Sequence, residues 1–330
     1  MGTQDDAEVR RVFQKRISFT GNVEPVLIEI CKRYKLDEYK SYELILIGYE
    51  DFNLILKTRK DNYFVKILAS YRTRADCQRY IEIIKESIAH GVQHPKLLKC
   101  STGLLCCIKK GKGALRLFVT EFIDWQSFYE SGINVNNKEA KFLIRQVAFI
   151  NSVKLKPKFI YDSWAISNFL KEYNKKKQYL SAKDRKVIDL LAKQFSRLSF
   201  GKFPHCLVHG DIHRANVLKD KKGQLFIIDF SVANYYPRIQ ELAVLLCSIL
   251  FDEKHPENAE SQRRFALAEY QKYIPLTKYE LDCFSLYCDV AHAMHVLQAT
   301  YEQEKNRNTS KENSYWLNLG RIGLGTNFRA

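Results

Sequence analysis

Long apolar runs are missing from this chain of 330 residues. The longest, residues 242–251, is interrupted by Ser248 and is far shorter than the roughly 20 residues that a membrane-spanning helix needs. The first residues contain no apolar segment of the kind that marks a secretory signal. We therefore expect a cytoplasmic protein that has no membrane partner.

Cysteine is present but lacks the spacing of a recognisable site. The nine cysteines include no C-x-x-C pair, so neither a disulfide framework nor a tetrahedral zinc site is indicated. We expect buried, reduced thiols. One alternative stays open, because Cys288, His292 and His295 have the helical spacing that would bring a thiol and two imidazoles together as metal ligands.

Acidic residues are scarce relative to basic ones, which gives a formal net charge of +16. Such a charge attracts anions, whether nucleotide phosphates, an acidic substrate, nucleic acid or a membrane surface, without distinguishing among them. The densest basic stretch, residues 171–186, contains Tyr173 and Tyr179, which alone offer little aromatic surface for stacking bases. We interpret this stretch as a solvated helix face and expect no nucleic-acid partner.

The apolar pattern changes about a third of the way along the chain. Strand periodicity and turn residues predict strands at 42–47, 53–57, 63–68, 104–108 and 115–122, with one helix at 74–90. Helical periodicity then predicts helices at 138–153, 164–173, 182–198, 240–251 and 281–303. We predict an α+β architecture with a helical extension at 1–40, an antiparallel sheet lobe at 41–122 and a larger, mostly helical lobe at 123–330.

The segment with the clearest chemistry is residues 206–233, CLVHGDIHRANVLKDKKGQLFIIDFSVA. Two short apolar strands around a turn near Lys222 predict a hairpin, whose open end should bring Asn216 and Asp229 side by side. Asp211, in a tight turn five residues before Asn216, should point to the same space. Magnesium prefers oxygen ligands, so we expect Asn216 and Asp229 to bind it and Asp211 to accept the proton of an attacking hydroxyl.

The run HGDIHRAN at 209–216, followed by Asp229-Phe230, resembles the H-G-D-x-H-x-x-N and D-F pattern of the aminoglycoside phosphotransferase and choline kinase superfamily. The likeness is dense at 206–243 and extends over about 41–250. It implies a bilobal protein-kinase-like fold and transfer of the γ-phosphate of ATP, with Mg²⁺, to a hydroxyl group. Ser231 stands where protein kinases have glycine, and no G-x-G-x-x-G run precedes Lys66, so a small-molecule kinase fits better.

The resemblance also implies roles for residues outside this run. Residues 48–53 are similar to the family's nucleotide-covering loop, and Lys66 occupies the strand position of the lysine that contacts the α- and β-phosphates. The residues assigned to nucleotide binding are Asn53, Lys66, Glu82, Glu121 and Ile123. Glu82 is preferred to Glu86 as the ion-pair partner of Lys66, and Glu121 and Ile123 lie in the segment expected to meet adenine.

Three residues are expected to order the catalytic loop: His209, His213 and Glu241. Glu241 occupies the place of a family aspartate. The run GRIGLG at 320–325 is only loosely similar to a glycine-rich phosphate loop, and we assign it no function because no strand precedes it.

The acceptor is the least specified feature. In this superfamily it binds against the helical lobe, and His292, His295 and Gln298 form a polar stripe on the predicted helix 281–303. This stripe either lines the acceptor pocket or faces water. We expect a small hydroxylated acceptor, such as an amino alcohol, a hydroxy amino acid, a sugar or an antibiotic-like compound.

Two alternatives from other functional classes stay open. One is a protein serine/threonine kinase on the same scaffold. The other is a nonenzymatic module that binds anions or nucleic acid through the basic charge.

Overall fold

A computed structural model of the chain describes residues 10–12, 14–45, 50–110, 113–132 and 134–325. The chain forms two compact units. The first contains Met1–Lys85, Gln93–Gln126 and Lys219–Ile228, and the second contains Glu86–Val92, Ser127–Leu218 and Asp229–Ala330. The predicted α+β class is confirmed. The linear bounds at 40 and 122 did not anticipate that a hairpin from the middle of the chain would group with the first unit.

The first unit is built on a five-stranded antiparallel sheet of order β1-β2-β3-β5-β4. The elements are α1 (Glu24–Tyr34), β1 (Tyr39–Leu44), β2 (Phe52–Thr58), β3 (Asn62–Ile67), α2 (Arg74–Ala89), β4 (Cys106–Lys110) and β5 (Gly113–Glu121). Strand β2 shows why the sequence folds this way, because every second residue is buried and the intervening ones are half-exposed. Leu54 and Leu56 pack in one core with Leu27 and Ile30 of α1.

The predicted strands and helix of this unit are confirmed apart from their ends. Strand β1 begins three residues earlier than predicted and ends at Leu44. The end of the predicted first strand and residues 48 and 49 of the predicted nucleotide-covering loop lie outside the described residues. Gly91 lies just beyond α2 with φ +87°, a left-handed conformation that glycine adopts without the steric cost of a side chain.

The second unit is mostly helical. Its helices are α3 (Phe128–Ser131), α4 (Asn137–Ser152), α5 (Phe169–Lys176), α6 (Ala182–Phe195), α7 (Ile239–Leu245), α8 (Ala259–Tyr270), α9 (Lys278–Asn306) and α10 (Lys311–Gly325). The remaining strands of the chain are β6 (Trp125–Ser127), β7 (His205–Val208), β8 (Val217–Asp220), β9 (Leu225–Ile227) and β10 (Asn234–Pro237). The sequence pattern did not predict α8 or α10 as separate helices. Among the helices that the structure describes, none is both long and apolar enough to cross a membrane.

Strands β8 and β9 belong to a three-stranded sheet of order β6-β8-β9, and they confirm the predicted hairpin. The backbone N–H of Asp220 donates to the carbonyl of Gln224 at 2.9 Å, and the Asp220 carboxylate accepts the N–H of Lys222 at 2.8 Å. Asn216 therefore precedes the hairpin by one residue, and Asp229 follows it by two.

Helices α9 and α10 pack closely because two of the three glycines of α10, Gly320 and Gly323, lie against α9. A Cβ atom built on Gly323 would lie 2.3 Å from the ring of His292, and one on Gly320 would lie 2.7 Å from the His292 carbonyl oxygen. The run at 320–325 is thus a helix-packing surface and not a phosphate loop.

Candidate active site

The HGDIHRAN segment folds into a loop in which Asn216 and Asp211 are directly bonded. The side-chain nitrogen of Asn216 donates to Asp211 Oδ2 at 2.8 Å and to the Asp211 carbonyl at 3.0 Å. Because the amide nitrogen is used in this way, the amide oxygen of Asn216 is directed away from Asp211 and is available as a ligand. The Asp211 carboxylate is 43% exposed, so a hydroxyl group from solution can reach it.

Glu241, at the start of α7, holds the beginning of this loop. Its buried carboxylate accepts the backbone N–H of His209 and that of Gly210, the latter at 3.2 Å. Burial raises the pKa of Glu241 to about 8, and the two backbone donors oppose that rise. His209 is also fully buried. Its Nδ1 accepts the N–H of Asp211 at 3.2 Å, and its ring lies 4.4 Å from that of Phe230.

His213 contacts the same carboxylate from the other side. Its Nδ1 accepts the N–H of Ala215 at 3.3 Å, and its Nε2 lies 3.4 Å from Asp211 Oδ1 and 3.1 Å from the side-chain nitrogen of Asn216. Burial lowers the pKa of His213, but the negative charges of Asp211, Glu312 and Asp229 outweigh burial and raise it overall.

Asp229 has a backbone conformation that is rare for residues with a side chain, with φ +67°. Its Oδ1 accepts the N–H of Ser231 at 3.3 Å. Its charge contributes to the raised pKa of His213, which places it in the electrostatic neighbourhood of the catalytic loop. The carboxylate of Asp229 therefore acts electrostatically on His213, which belongs to the same loop as Asp211 and Asn216.

The oxygen donors of this loop and of Asp229 suit a hard divalent cation. They include the amide oxygen of Asn216 and the carboxylate of Asp229, which are oxygen ligands of the type magnesium takes together with nucleotide phosphates. Within the described ranges, no group of three or more His, Cys, Asp and Glu side chains forms a metal site by itself. Cys288, His292 and His295 therefore do not make the metal site that their spacing allowed.

Lys66, on β3, is buried in the first unit and is ion-paired. Its ammonium lies 3.4 Å from Asp51 Oδ2 and 3.2 Å from the Tyr80 hydroxyl. Asp51 also accepts the N–H of Ala69 at 2.8 Å. The prediction that Glu82 pairs with Lys66 is wrong, because Glu82 lies on the exposed face of α2. Sequence reasoning missed Asp51, although it lies in the predicted nucleotide-covering loop at 48–53, immediately before β2.

Asn53 is directly opposite Lys66 in the β2-β3 register, so the two side chains lie on the same face of the sheet. The Asn53 side-chain oxygen is buried and has no hydrogen-bond donor among the described residues. Glu121, at the end of β5, accepts the N–H of Lys96 at 2.9 Å through its carboxylate. Ile123 lies in the irregular segment between β5 and β6.

The polar stripe of α9 is buried and does not face water. His292 and Gln298 are 2% and 1% exposed, and His295 is 9% exposed. Gln298 bonds Lys176 and the carbonyl of Ser163. Burial lowers the pKa of His292, and burial together with His213 lowers that of His295 to about 4, so both rings are neutral. The expectation of an acceptor site at this stripe is wrong, because His292 and His295 pack against α10 and Gln298 is bonded to Lys176 and Ser163.

A cavity of about 460 Å³ lies elsewhere in the second unit. The cavity wall includes Tyr129, Arg214, Asp252, Glu253, Lys254 and Tyr315. Arg214 belongs to the HGDIHRAN loop, three residues after Asp211. Their Cα atoms are at most about 11 Å apart, given the 3.8 Å spacing of successive residues. Sequence reasoning missed this wall because its residues come from separate segments, and Arg214 was the one signal inside a recognised motif.

Comparisons with solved structures show the same fold. One of them is an amicoumacin kinase, hAmiN, in complex with AMP-PNP, Ca²⁺ and Ami. It is 16% identical to this chain with a TM-score of 0.65, and the match covers 99% of this chain and 97% of the kinase. A microcompartment-associated aminopropanol kinase is 13% identical to this chain with a TM-score of 0.67, and the match covers 92% of this chain and 95% of that kinase. The choline kinase LicA from Streptococcus pneumoniae is 14% identical to this chain with a TM-score of 0.61, and the match covers 93% of this chain and 100% of LicA.

At these identities the structural likeness establishes the protein-kinase-like fold and no more. No curated protein matches the sequence. The model of the phosphotransferase enzyme family does match, over residues 41–276, which is more than two thirds of the chain and contains the whole HGDIHRAN loop, Asp229 and Lys66. The chain therefore belongs to the phosphotransferase enzyme family.

Proposed function

We propose that this protein transfers the γ-phosphate of ATP to a hydroxyl group of a small molecule. The observation that supports this most directly is the bond from the Asn216 amide to Asp211. It leaves an exposed carboxylate as proton acceptor and an amide oxygen as metal ligand within one loop. Family membership supports the same reaction class.

In the proposed reaction the acceptor hydroxyl attacks the γ-phosphorus, the bond from that phosphorus to the β,γ-bridging oxygen breaks, and ADP leaves. Asp211 would orient the hydroxyl and accept its proton. His213 and Asn216 bond the two carboxylate oxygens, so they would fix the direction from which the hydroxyl approaches. Mg²⁺, when bound by Asn216 and Asp229, would neutralise charge on the phosphates.

We assign the phosphate-binding role of the first unit to Lys66 and give Glu82 no role in it. Lys66 is held in place by Asp51 and Tyr80, which suits a cation that must bind the α- and β-phosphates in one position. Asn53, with its unpaired buried oxygen on the same face of the sheet, is the next candidate. For Glu121 and Ile123 the proposal is unchanged: they lie in the segment that would contact adenine.

We place the acceptor in the cavity beside Arg214 and not at the α9 stripe. The volume of this cavity lies in the range typical of small-molecule sites. Tyr129 and Tyr315 supply apolar wall, and their rings pack edge to face with centroids 6.0 Å apart. The backbone N–H of Tyr129 donates to the carbonyl of Arg214 at 3.2 Å, which ties this wall to the catalytic loop.

The direct test is an ADP-release screen with MgATP across hydroxylated small molecules, comparing the wild-type protein with Asp211→Asn. Asp189→Asn, a change at a partly exposed carboxylate on α6, is the matched control. We expect turnover that Asp211→Asn abolishes and Asp189→Asn retains, with nucleotide binding intact in all three proteins. Retained turnover in Asp211→Asn, or transfer to proteins alone, would contradict the proposal.

A further inference from the structure

The wall of the cavity contains a buried positive charge that makes no ion pair with any described residue. Arg214 is only 8% exposed, and its Nη2 donates to the neutral side chain of Asn134 at 3.0 Å. Among the described residues, no carboxylate lies within ion-pair distance of its guanidinium, and its buried Nε has no acceptor. A buried guanidinium left without a counter-charge is costly, so its retention beside a cavity suggests a ligand anion.

Two other arginines of the same unit show the ordinary arrangement. Arg263 is 7% exposed and bonds Asp289 at 2.6 Å. The less buried Arg238 bonds Glu280 at 2.7 Å. Arg214 is as deeply buried as Arg263 but faces a neutral amide, and only Arg214 of the three lines the cavity.

The same cavity contains a half-buried carboxylate that is also unpaired. Within the described part of the chain, Glu253 has no ion pair or hydrogen bond of its side chain. Arg214, Glu253 and Tyr315 line the same cavity. Burial raises the pKa of Tyr315, Arg214 opposes that rise and Glu253 adds to it. The two charges nevertheless do not pair with each other. A ligand that joins them must present an anion to Arg214 and a cation to Glu253.

We propose that the acceptor is a zwitterion, a hydroxylated amino acid, with its carboxylate on Arg214 and its ammonium on Glu253. This inference rests on the proposed phosphotransferase function and specifies its substrate class. Guanidinium binds carboxylate through paired N–H donors, and a carboxylate accepts the N–H bonds of an ammonium group. The side-chain hydroxyl is then phosphorylated: its oxygen gains the γ-phosphorus, its proton passes to Asp211, and ADP is released. The closeness of Arg214 to Asp211 along the loop makes this placement compact.

The test uses sets of three acceptors that differ by one charged group each. L-homoserine is compared with 3-aminopropan-1-ol, which lacks the carboxylate, and with 4-hydroxybutanoate, which lacks the ammonium. L-serine, ethanolamine and 3-hydroxypropanoate make a second set. Binding is measured by calorimetry and turnover by ADP release, both with the full chain and MgATP. In at least one set we expect kcat/KM for the amino acid to exceed that of both partners by about 10-fold or more.

Variants then assign each charge. Arg214→Gln should lower kcat/KM for the amino acid by about 10- to 100-fold and leave the amino alcohol unchanged, since only the carboxylate loses its partner. Glu253→Gln should lower kcat/KM for the amino acid and leave kcat/KM for the hydroxy acid unchanged. Arg264→Gln, at an exposed arginine of α8, is the matched control and should change neither. Removing an uncompensated buried charge should leave the melting temperature of ligand-free Arg214→Gln unchanged or raise it.

The outcomes separate this inference from the function on which it rests. Faster turnover of an amino alcohol or a neutral sugar that is insensitive to Arg214→Gln would overturn the zwitterion and leave phosphotransfer intact. Failure of every tested amino acid to bind or react would also overturn it. Turnover that persists in Asp211→Asn would instead contradict the proposed function itself.

Discussion

The HGDIHRAN loop and the α9 stripe are both histidine-containing polar clusters of the second unit, but they differ in solvent exposure. In the loop, Asp211 stays 43% exposed and its oxygens are bonded by Asn216 and His213. In the stripe, His292 is 2% exposed and lies under the glycine surface of α10. Helical spacing identifies residues that share a face, but it does not identify what that face touches.

The largest expected effect concerns Asp229, which we propose as a ligand of the metal. Asp229→Asn removes a carboxylate charge from the proposed magnesium site, so we expect kcat to fall by about 10³-fold at low Mg²⁺ and to recover partly as Mg²⁺ is raised. Asp282→Asn, at an exposed carboxylate on α9, serves as the control. The measurement is the rate of ADP release by both variants and the wild type over a range of Mg²⁺ concentrations. An unchanged rate and unchanged Mg²⁺ dependence would remove Asp229 from the site.

A packing variant tests the other half of the comparison. In Gly323→Ala the new methyl group would lie 2.3 Å from the His292 ring, so α10 or the ring must shift. We expect the free energy of unfolding to fall by about 2 kcal/mol, with kcat per folded molecule nearly unchanged. Denaturant titration gives the stability.

Gly325→Ala is the matched control, because a Cβ there meets no atom within 4 Å. Equal stability of the two variants would mean that the close packing of Gly323 against His292 does not stabilise the contact between α9 and α10.

How far the sequence predicted the molecule depends on the range of the interactions involved. The sheet strands, the β8-β9 hairpin and the HGDIHRAN loop follow from local turn chemistry and short periodicities, so their existence was predictable. The ion pair of Lys66 with Asp51 was not predicted, and the exposure of Glu82 was missed because it depends on which face of α2 turns inward. The cover on α9 was also missed, since α10 was not predicted as a helix. The cavity is assembled from α3, α10 and loops that no local pattern connects.

The smallest effect concerns the neutral histidines of the stripe. The pKa of His295 is lowered to about 4, so protons bind the unfolded chain more readily, and stability should fall as pH drops below the ordinary histidine value. Between about pH 7.5 and 5.5, His295 should remove about 1 kcal/mol of unfolding free energy. His295→Gln lacks this loss, so the difference between the two pH profiles isolates it. Parallel profiles would show that His295 is not buried as a neutral ring.

The comparison between loop and stripe is tested most directly by one pair of kcat values, for Asp211→Asn and His295→Gln on the same acceptor, corrected for folded fraction. Loss of a proton acceptor should cost about 10²- to 10⁴-fold, with nucleotide binding retained, whereas His295→Gln should stay within about threefold of the wild type. An Asp211→Asn enzyme within tenfold of the wild type, or an equal loss in His295→Gln, would contradict the assignment of the chemistry to the HGDIHRAN loop.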